Sequence, residues 1–94
     1  MLDVKEAVNA AEAIARTLFS ERELKGLRVE EVEAAQDGKQ WLITLGWPEG
    51  DVRQVAPSSF GVSSGGLYAT PRVYKQFILN AETGALISMK DRGL

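Results

Sequence analysis

The first twenty residues have the hydrophobic pattern of an amphipathic helix. Apolar residues recur at spacings of three and four from Val4 to Leu18, which places them on one side of a helix. Asp3, followed three positions later by Glu6, is typical of a capping box at a helix start. The pattern predicts a helix over about residues 3–19 that can fray or re-form as far as residue 25, with Gly26 as its stop.

A strand pattern begins after Gly26 and shifts phase within a few residues. Val32 lies three positions after Val29, where an alternating strand would place its next apolar residue two positions on. The shift indicates either a bulge near Glu30 and Glu31 or a strand that begins only at Val32. On a regular strand, Glu30 would lie on the face opposite Glu31.

The next strand is predicted by a turn signal and a regular alternation. Asp37 and Gly38 are typical of a two-residue hairpin loop, and Pro48 ends the run KQWLITLGW that follows. One face of this run carries Trp41, Ile43, Leu45 and Trp47, and the other carries Leu42, Thr44 and Gly46. Because both faces are largely apolar, we expect a central strand with its tryptophan face packed beneath the helix.

Two further strands are predicted near the end of the chain. RVYKQFILN and ALISMK both alternate, and the connection NAETG between them has the length and glycine of a hairpin loop. The last residues, 91–94, are expected to fray. The sequence therefore predicts one α+β domain over residues 1–94, with an N-terminal helix packed on a four-stranded antiparallel sheet in the order helix-β-β-long loop-β-β.

The long loop is the segment at about residues 48–71, between the two predicted hairpins. It holds all three prolines and four of the nine glycines, together with two Ser-Ser pairs. Connections of this length without secondary structure are uncommon in compact domains, so we interpret it as a functional or a mobile loop. The run SSFGVSSGG within it is typical of a flexible linker rather than a phosphate-binding loop, because no helix pattern and no G-K-[ST] follow.

Composition narrows the possible functions. The 94 residues carry a net charge of −2 and contain neither Cys nor His, so we expect no disulfide, no zinc site of the usual ligands and no bound cofactor. An acidic chain is not expected to bind nucleic acid. The charged N-terminal helix is neither a signal peptide nor a membrane span, which predicts a cytoplasmic protein without a membrane partner.

Catalytic and metal sites are not expected from the remaining residues. Glu30, Glu31 and Glu33 lack the spacing of a calcium loop and are better interpreted as a solvated strand that discourages edge pairing. Serine nucleophiles have no His partner, and Lys75, in an otherwise apolar strand, is better interpreted as a snorkelling side chain than as a catalytic base. The sequence predicts a protein that is not an enzyme.

The sheet face away from the helix is the strongest candidate for a functional surface. It is predicted to carry Leu42, Thr44, Tyr74, Gln76, Ile78, Ile87 and Met89, which is more apolar than a solvated face requires. We expect an unidentified protein partner to dock on this face and the 48–71 loop, at the candidate residues Phe60, Tyr68, Arg72, Tyr74 and Gln76. The alternative is a homodimeric structural protein whose apolar face or edge strand pairs with itself. A small-molecule pocket between helix and sheet is a third interpretation, with no polar cluster to support it.

A family resemblance supports a binding function. The Ala-rich leading helix, the strand ending in a DG turn and the late hairpin YKQFILNAETGALISMK resemble the PepSY domain and its cystatin-like relatives. In that family a strand, an acidic or amide turn residue, a T-G pair and a short apolar strand come in sequence, and here Asn80, Glu82, Thr83 and Gly84 stand at the turn positions. The resemblance covers about half of the chain and implies a non-catalytic binding or inhibitory module. The 48–71 loop is longer than the family's usual middle connection.

Overall fold

The computed structural model describes residues 1–49 and 72–92, which form one helix and one four-stranded sheet. The elements are α1 (Val4–Leu18), β1 (Arg28–Ala34), β2 (Gln40–Pro48), β3 (Arg72–Asn80) and β4 (Leu86–Asp91). The strands lie in the order β1-β2-β3-β4, and each is antiparallel to its neighbour. The predicted α+β fold, a helix packed on a four-stranded antiparallel sheet, is confirmed. Within the described ranges no helix is long and apolar enough to cross a membrane.

Helix α1 begins at the predicted capping box and packs through small side chains. The Asp3 carboxylate accepts a hydrogen bond from the Glu6 amide (2.8 Å), and Glu6 accepts one from the Asp3 amide (2.9 Å). The buried residues of the helix are Ala7, Ala11 and Ala15, one per turn. Their small side chains let the helix axis approach the sheet closely, so the larger core residues come from the strands.

The core lies between α1 and one face of the central strands. Its largest fully buried side chains on that face are Ile43, Leu45, Phe77 and Leu79, each worth about 1.5–3 kcal/mol when removed from water. Trp47 is nearly buried and packs against Phe19, with ring centroids 5.0 Å apart. The expectation that the tryptophan face of β2 lies beneath the helix is therefore confirmed.

The first hairpin forms as expected but has a longer connection than predicted. The Ala35 amide bonds to the Gln40 carbonyl (3.0 Å), and the Gly38 amide bonds to the Ala35 carbonyl (2.9 Å). Gly38 takes φ +71°, a left-handed conformation, and the Asp37 side chain accepts from the Lys39 amide (2.8 Å). The turn therefore spans residues 35–38, and the prediction of a two-residue loop at Asp37 and Gly38 is wrong.

The second hairpin closes through the side chains that its sequence supplies. Asn80 Oδ1 accepts from the amides of Glu82 (2.8 Å) and Thr83 (3.1 Å), and Thr83 Oγ1 accepts from the Ala85 amide (3.1 Å). Gly84 completes the turn with φ +79°. The predicted hairpin loop is confirmed, and its local chemistry accounts for the N-x-E-T-G pattern.

Candidate functional site

The sheet face opposite α1, called here the distal face, receives side chains from all four strands. The strand register assigns its residues, from β1 to β4, as Arg28, Glu30, Glu31, Glu33, Leu42, Thr44, Gly46, Arg72, Tyr74, Gln76, Ile78, Ser88 and Lys90. Arg92, just beyond β4, joins them: its amide bonds to the Tyr74 carbonyl (2.9 Å) and its side chain reaches Glu31.

A bulge in β1 determines the acidic side of this face. Val29 pairs with Leu45 and Glu31 pairs with Thr44, which leaves Glu30 as the extra residue. The predicted bulge near Glu30 and Glu31 is thus confirmed. Its consequence differs from a regular strand, because the bulge turns the Glu30 carboxylate onto the distal face together with that of Glu31. The expectation that these two side chains lie on opposite faces is wrong.

Glu30 joins two arginines across β2. Its Oε2 accepts from Arg28 Nε at 2.8 Å and from Arg72 Nη2 at 3.2 Å. The Glu30 side chain is 16% exposed and that of Arg72 20%, so the link from β1 to β3 is partly shielded from water. The hydrogen bond from Arg28, helped by the charges of both arginines and opposed by burial, lowers the pKa of Glu30. The same hydrogen bond raises the pKa of Arg28.

A second ion pair crosses the face further along the sheet. Glu31 Oε1 accepts from Arg92 Nε at 3.1 Å and lies 3.5 Å from Thr44 Oγ1. Thr44 is fully buried although it points away from the helix, and this pair is one cause of that burial. Of residues 91–94, which were expected to fray, Asp91 ends β4 and pairs with Lys75, and Arg92 pairs with Glu31.

The apolar part of the distal face is smaller than predicted. It consists of Leu42 and Ile78, which are register partners, and the ring of Tyr74 beside Gly46, all partly exposed except the glycine. Met89 pairs with Phe77 and packs against the core on the helix side, so its assignment to the distal face is wrong.

The register of the second hairpin explains this correction. Ser88 pairs with Ile78, and Lys90 pairs with Gln76, so Lys90 occupies the position that the sequence pattern assigned to Met89. The register shifts beyond Ser88, and Ile87 has no partner on β3; its side chain is 50% exposed. The face is therefore apolar at its centre and charged along both sides.

Three of the predicted site residues share this face. Arg72, Tyr74 and Gln76 alternate along β3, opposite Pro48, Gly46 and Thr44 of β2. The predicted residues Phe60 and Tyr68 lie outside the described residues, as does the 48–71 loop apart from its first two positions. Reasoning from the sequence missed Glu30, Glu31, Lys90 and Arg92, although the phase shift at Val32 was a usable signal for the first two.

A shallow pocket of about 460 Å³ lies where β3 begins and β4 ends. Its lining residues are Glu49, Arg72, Val73, Tyr74, Lys75, Asp91 and Arg92. Each cation of the lining is matched within the chain, because Arg72 bonds Glu30, Lys75 bonds Asp91, and Arg92 bonds Glu31. The pocket therefore offers no surplus charge to recruit a small anion. No group of three acidic side chains in the described part of the chain is placed to hold a metal ion.

The arrangement defines a class of protein: a small helix-on-sheet α+β fold with a charged and partly apolar sheet face. Beyond that class the comparisons give no family, since no family model, curated protein or solved structure matches the chain. The resemblance to PepSY and cystatin-like domains stays a prediction.

Proposed function

We propose that this chain is a non-catalytic binding module that docks a protein through its distal face. The observation that carries the proposal is the composition of that face: Leu42, Ile78 and Tyr74 lie partly exposed at its centre, with charged side chains on both sides. An apolar centre with a polar rim is the usual anatomy of a protein–protein interface.

The charged side chains of this face are suited to recognition because they are held in place. Arg72 and Arg92 each donate to a carboxylate of β1, which fixes their guanidinium groups before any partner arrives. A side chain ordered in the free protein loses less conformational entropy on binding. Arginine and tyrosine residues also contribute a large share of binding energy in many interfaces, so Arg72 and Tyr74 are the anchors we expect.

The same contacts favour binding over catalysis. A general base works best when its pKa lies near the working pH, whereas the arginines lower the pKa of Glu30. Glu31 is likewise engaged with Arg92. The Glu30 carboxylate, held ionised by its arginines, is suited to positioning cations and poorly suited to accepting a proton at neutral pH.

Affinity capture with a face variant tests the proposal. Ile78→Glu places a charge at the centre of the distal face, and Leu86→Glu places one at a position of β4 that is 39% exposed and pairs with Leu79 of the helix side. Both variants are first checked for folding by circular dichroism. We expect a protein captured by the wild-type chain and by Leu86→Glu but not by Ile78→Glu, and titration calorimetry with the purified partner should reproduce that order.

Capture that is indifferent to Ile78→Glu would contradict the proposal, because the binding surface would then lie elsewhere. Capture of nothing, together with no self-association of the purified chain, would contradict it as well.

A further inference from the structure

Charges on the distal face are separated by strand. The β1 side carries Glu30, Glu31 and Glu33 against one arginine, and the β4 side carries Lys90 and Arg92 with no acid. On this face β2 and β3 contribute no carboxylate. Glu30 is already paired with Arg28 and Arg72, and Glu31 with Arg92, so the charges of the described face that lack an ion pair are Glu33 at the β1 edge and Lys90 at the β4 edge, with the apolar residues between them.

These two charges have no ion-pair partner within residues 1–49 and 72–92. Glu33 and Lys90 are both exposed, and neither forms an ion pair with another described residue. They stand on opposite outer strands, so a partner that satisfies both must present a positive group over β1 and a negative group over β4.

We propose that this partner is a second copy of the same chain, seated face to face about a two-fold axis parallel to the strands. The proposal rests on the proposed function and names its partner. Such an axis lays β1 of one copy over β4 of the other, so the edge that carries Glu33 meets the edge that carries Lys90 of the partner subunit, twice per dimer. An axis across the strands would instead lay β1 over β1 and place like charges together, which is unfavourable.

The register makes the centre of the face complementary as well. Residues that are register partners form a row across the sheet. A two-fold axis along the strands places each row over the same row of the other copy, so Leu42 lies over Ile78 of the partner subunit. Glu33 lies over Ser88 of the partner subunit and about 7 Å along the strand from Lys90 of the partner subunit, within reach of a long lysine side chain.

The size of the face sets the expected affinity. Four strands about 4.8 Å apart, paired over about seven residues of about 3.3 Å each, give a flat area of roughly 450 Å² per copy. Stable interfaces usually bury about 800 Å² per partner. We therefore expect a weak, dissociable dimer.

Charge reversal on the full chain tests the proposal by analytical ultracentrifugation over a wide range of concentration. Glu33→Lys and Lys90→Glu each create two repulsive contacts per dimer, and we expect each to weaken self-association by about tenfold. An equimolar mixture of the two variants should form a mixed dimer, because each then supplies the charge that the other requires. The double variant Glu33→Lys/Lys90→Glu should associate like the wild type.

Matched controls carry the same charge changes away from the face. Glu21→Lys and Lys25→Glu alter exposed residues of the turn that follows α1, and neither should change the dissociation constant.

A wild-type chain that stays monomeric at every concentration overturns this proposal; face-dependent capture of a different protein would then leave the proposed function standing. A dimer that none of the face variants weakens uses another surface and also overturns it. Failure of the double variant to recover association rejects the two-fold axis along the strands.

Discussion

Replacing Gly46 by alanine probes whether the β1 bulge holds Glu30 above β2. Gly46 lies inside a strand without a positive φ, so its backbone accepts any residue. By backbone entropy alone, Gly46→Ala would stabilise the protein by about 0.5–1 kcal/mol. An added Cβ, however, would lie 2.7 Å from Glu30 Oε2, 2.9 Å from Glu30 Cγ and 3.0 Å from Tyr74 Cδ1.

These distances decide whether Gly46→Ala stabilises or destabilises the protein. Contact with Cγ as well as Oε2 means that Glu30 must change rotamer, which breaks its hydrogen bonds with Arg28 and Arg72. Overpacking of this kind costs about 1–3 kcal/mol, so we expect Gly46→Ala to lower the free energy of unfolding by about 1–2 kcal/mol. In a Glu30→Ala background both Glu30 atoms are gone, and only the ring of Tyr74, which can tilt, stands close. There Gly46→Ala should be neutral or stabilising.

Urea unfolding of the wild type, both single variants and the double variant measures this coupling, provided that the m-value is unchanged. Gly38→Ala is the control. Gly38 has φ +71°, but a Cβ added to it would meet no atom within 4 Å. The loss of unfolding free energy caused by Gly38→Ala should therefore be the same with and without Glu30. An equal cost of Gly46→Ala in both backgrounds would refute the placement of Glu30 over β2.

Three further changes address the charge network, the core and the turn before β1. Because the pKa of Glu30 is lowered from 4.5 in the folded state, its stabilising effect is present above 4.5 and is lost as the pH falls through the lowered value. The difference in free energy of unfolding between the wild type and Glu30→Gln, measured by urea unfolding, should therefore become smaller in acid. A larger difference in acid would contradict this prediction. Phe77→Ala empties a fully buried site and should cost about 3–5 kcal/mol in urea unfolding, whereas a loss below about 1 kcal/mol would contradict the core assignment. Gly26→Ala introduces a side chain at φ +83° and places its Cβ 2.9 Å from Pro48 Cδ. The midpoint of thermal unfolding of this variant should be lower than that of the wild type, and an unchanged midpoint would refute the contact.

The sequence predicted the individual elements well because each depends on its own periodicity. The helix stripe and the alternation of β3 are properties of one segment, and β3 was predicted over the same residues that form it. The core assignment of Phe77 and Leu79 follows from that alternation together with the position of the helix.

The composition of the distal face was harder to predict because it depends on the register between strands. A single extra residue moves later side chains to the other face relative to the neighbouring strand. The phase shift at Val32 indicated a bulge near Glu30, but it did not indicate on which face of the sheet the Glu30 side chain lies. Nothing in ALISMK alone indicates that Lys90, rather than Met89, lies beside Gln76.

The strand-by-strand separation of charge also limits which partners the distal face can accommodate. A uniformly negative surface laid over it gains attraction from Lys90 at one edge and meets repulsion from Glu33 at the other. A uniformly positive surface meets the reverse problem. Favourable contact along the whole face requires a partner whose charge changes sign over the three strand spacings from β1 to β4, or roughly 14 Å. A second copy of this sheet carries Glu33 and Lys90 at that spacing, which is the basis of the self-association proposed above.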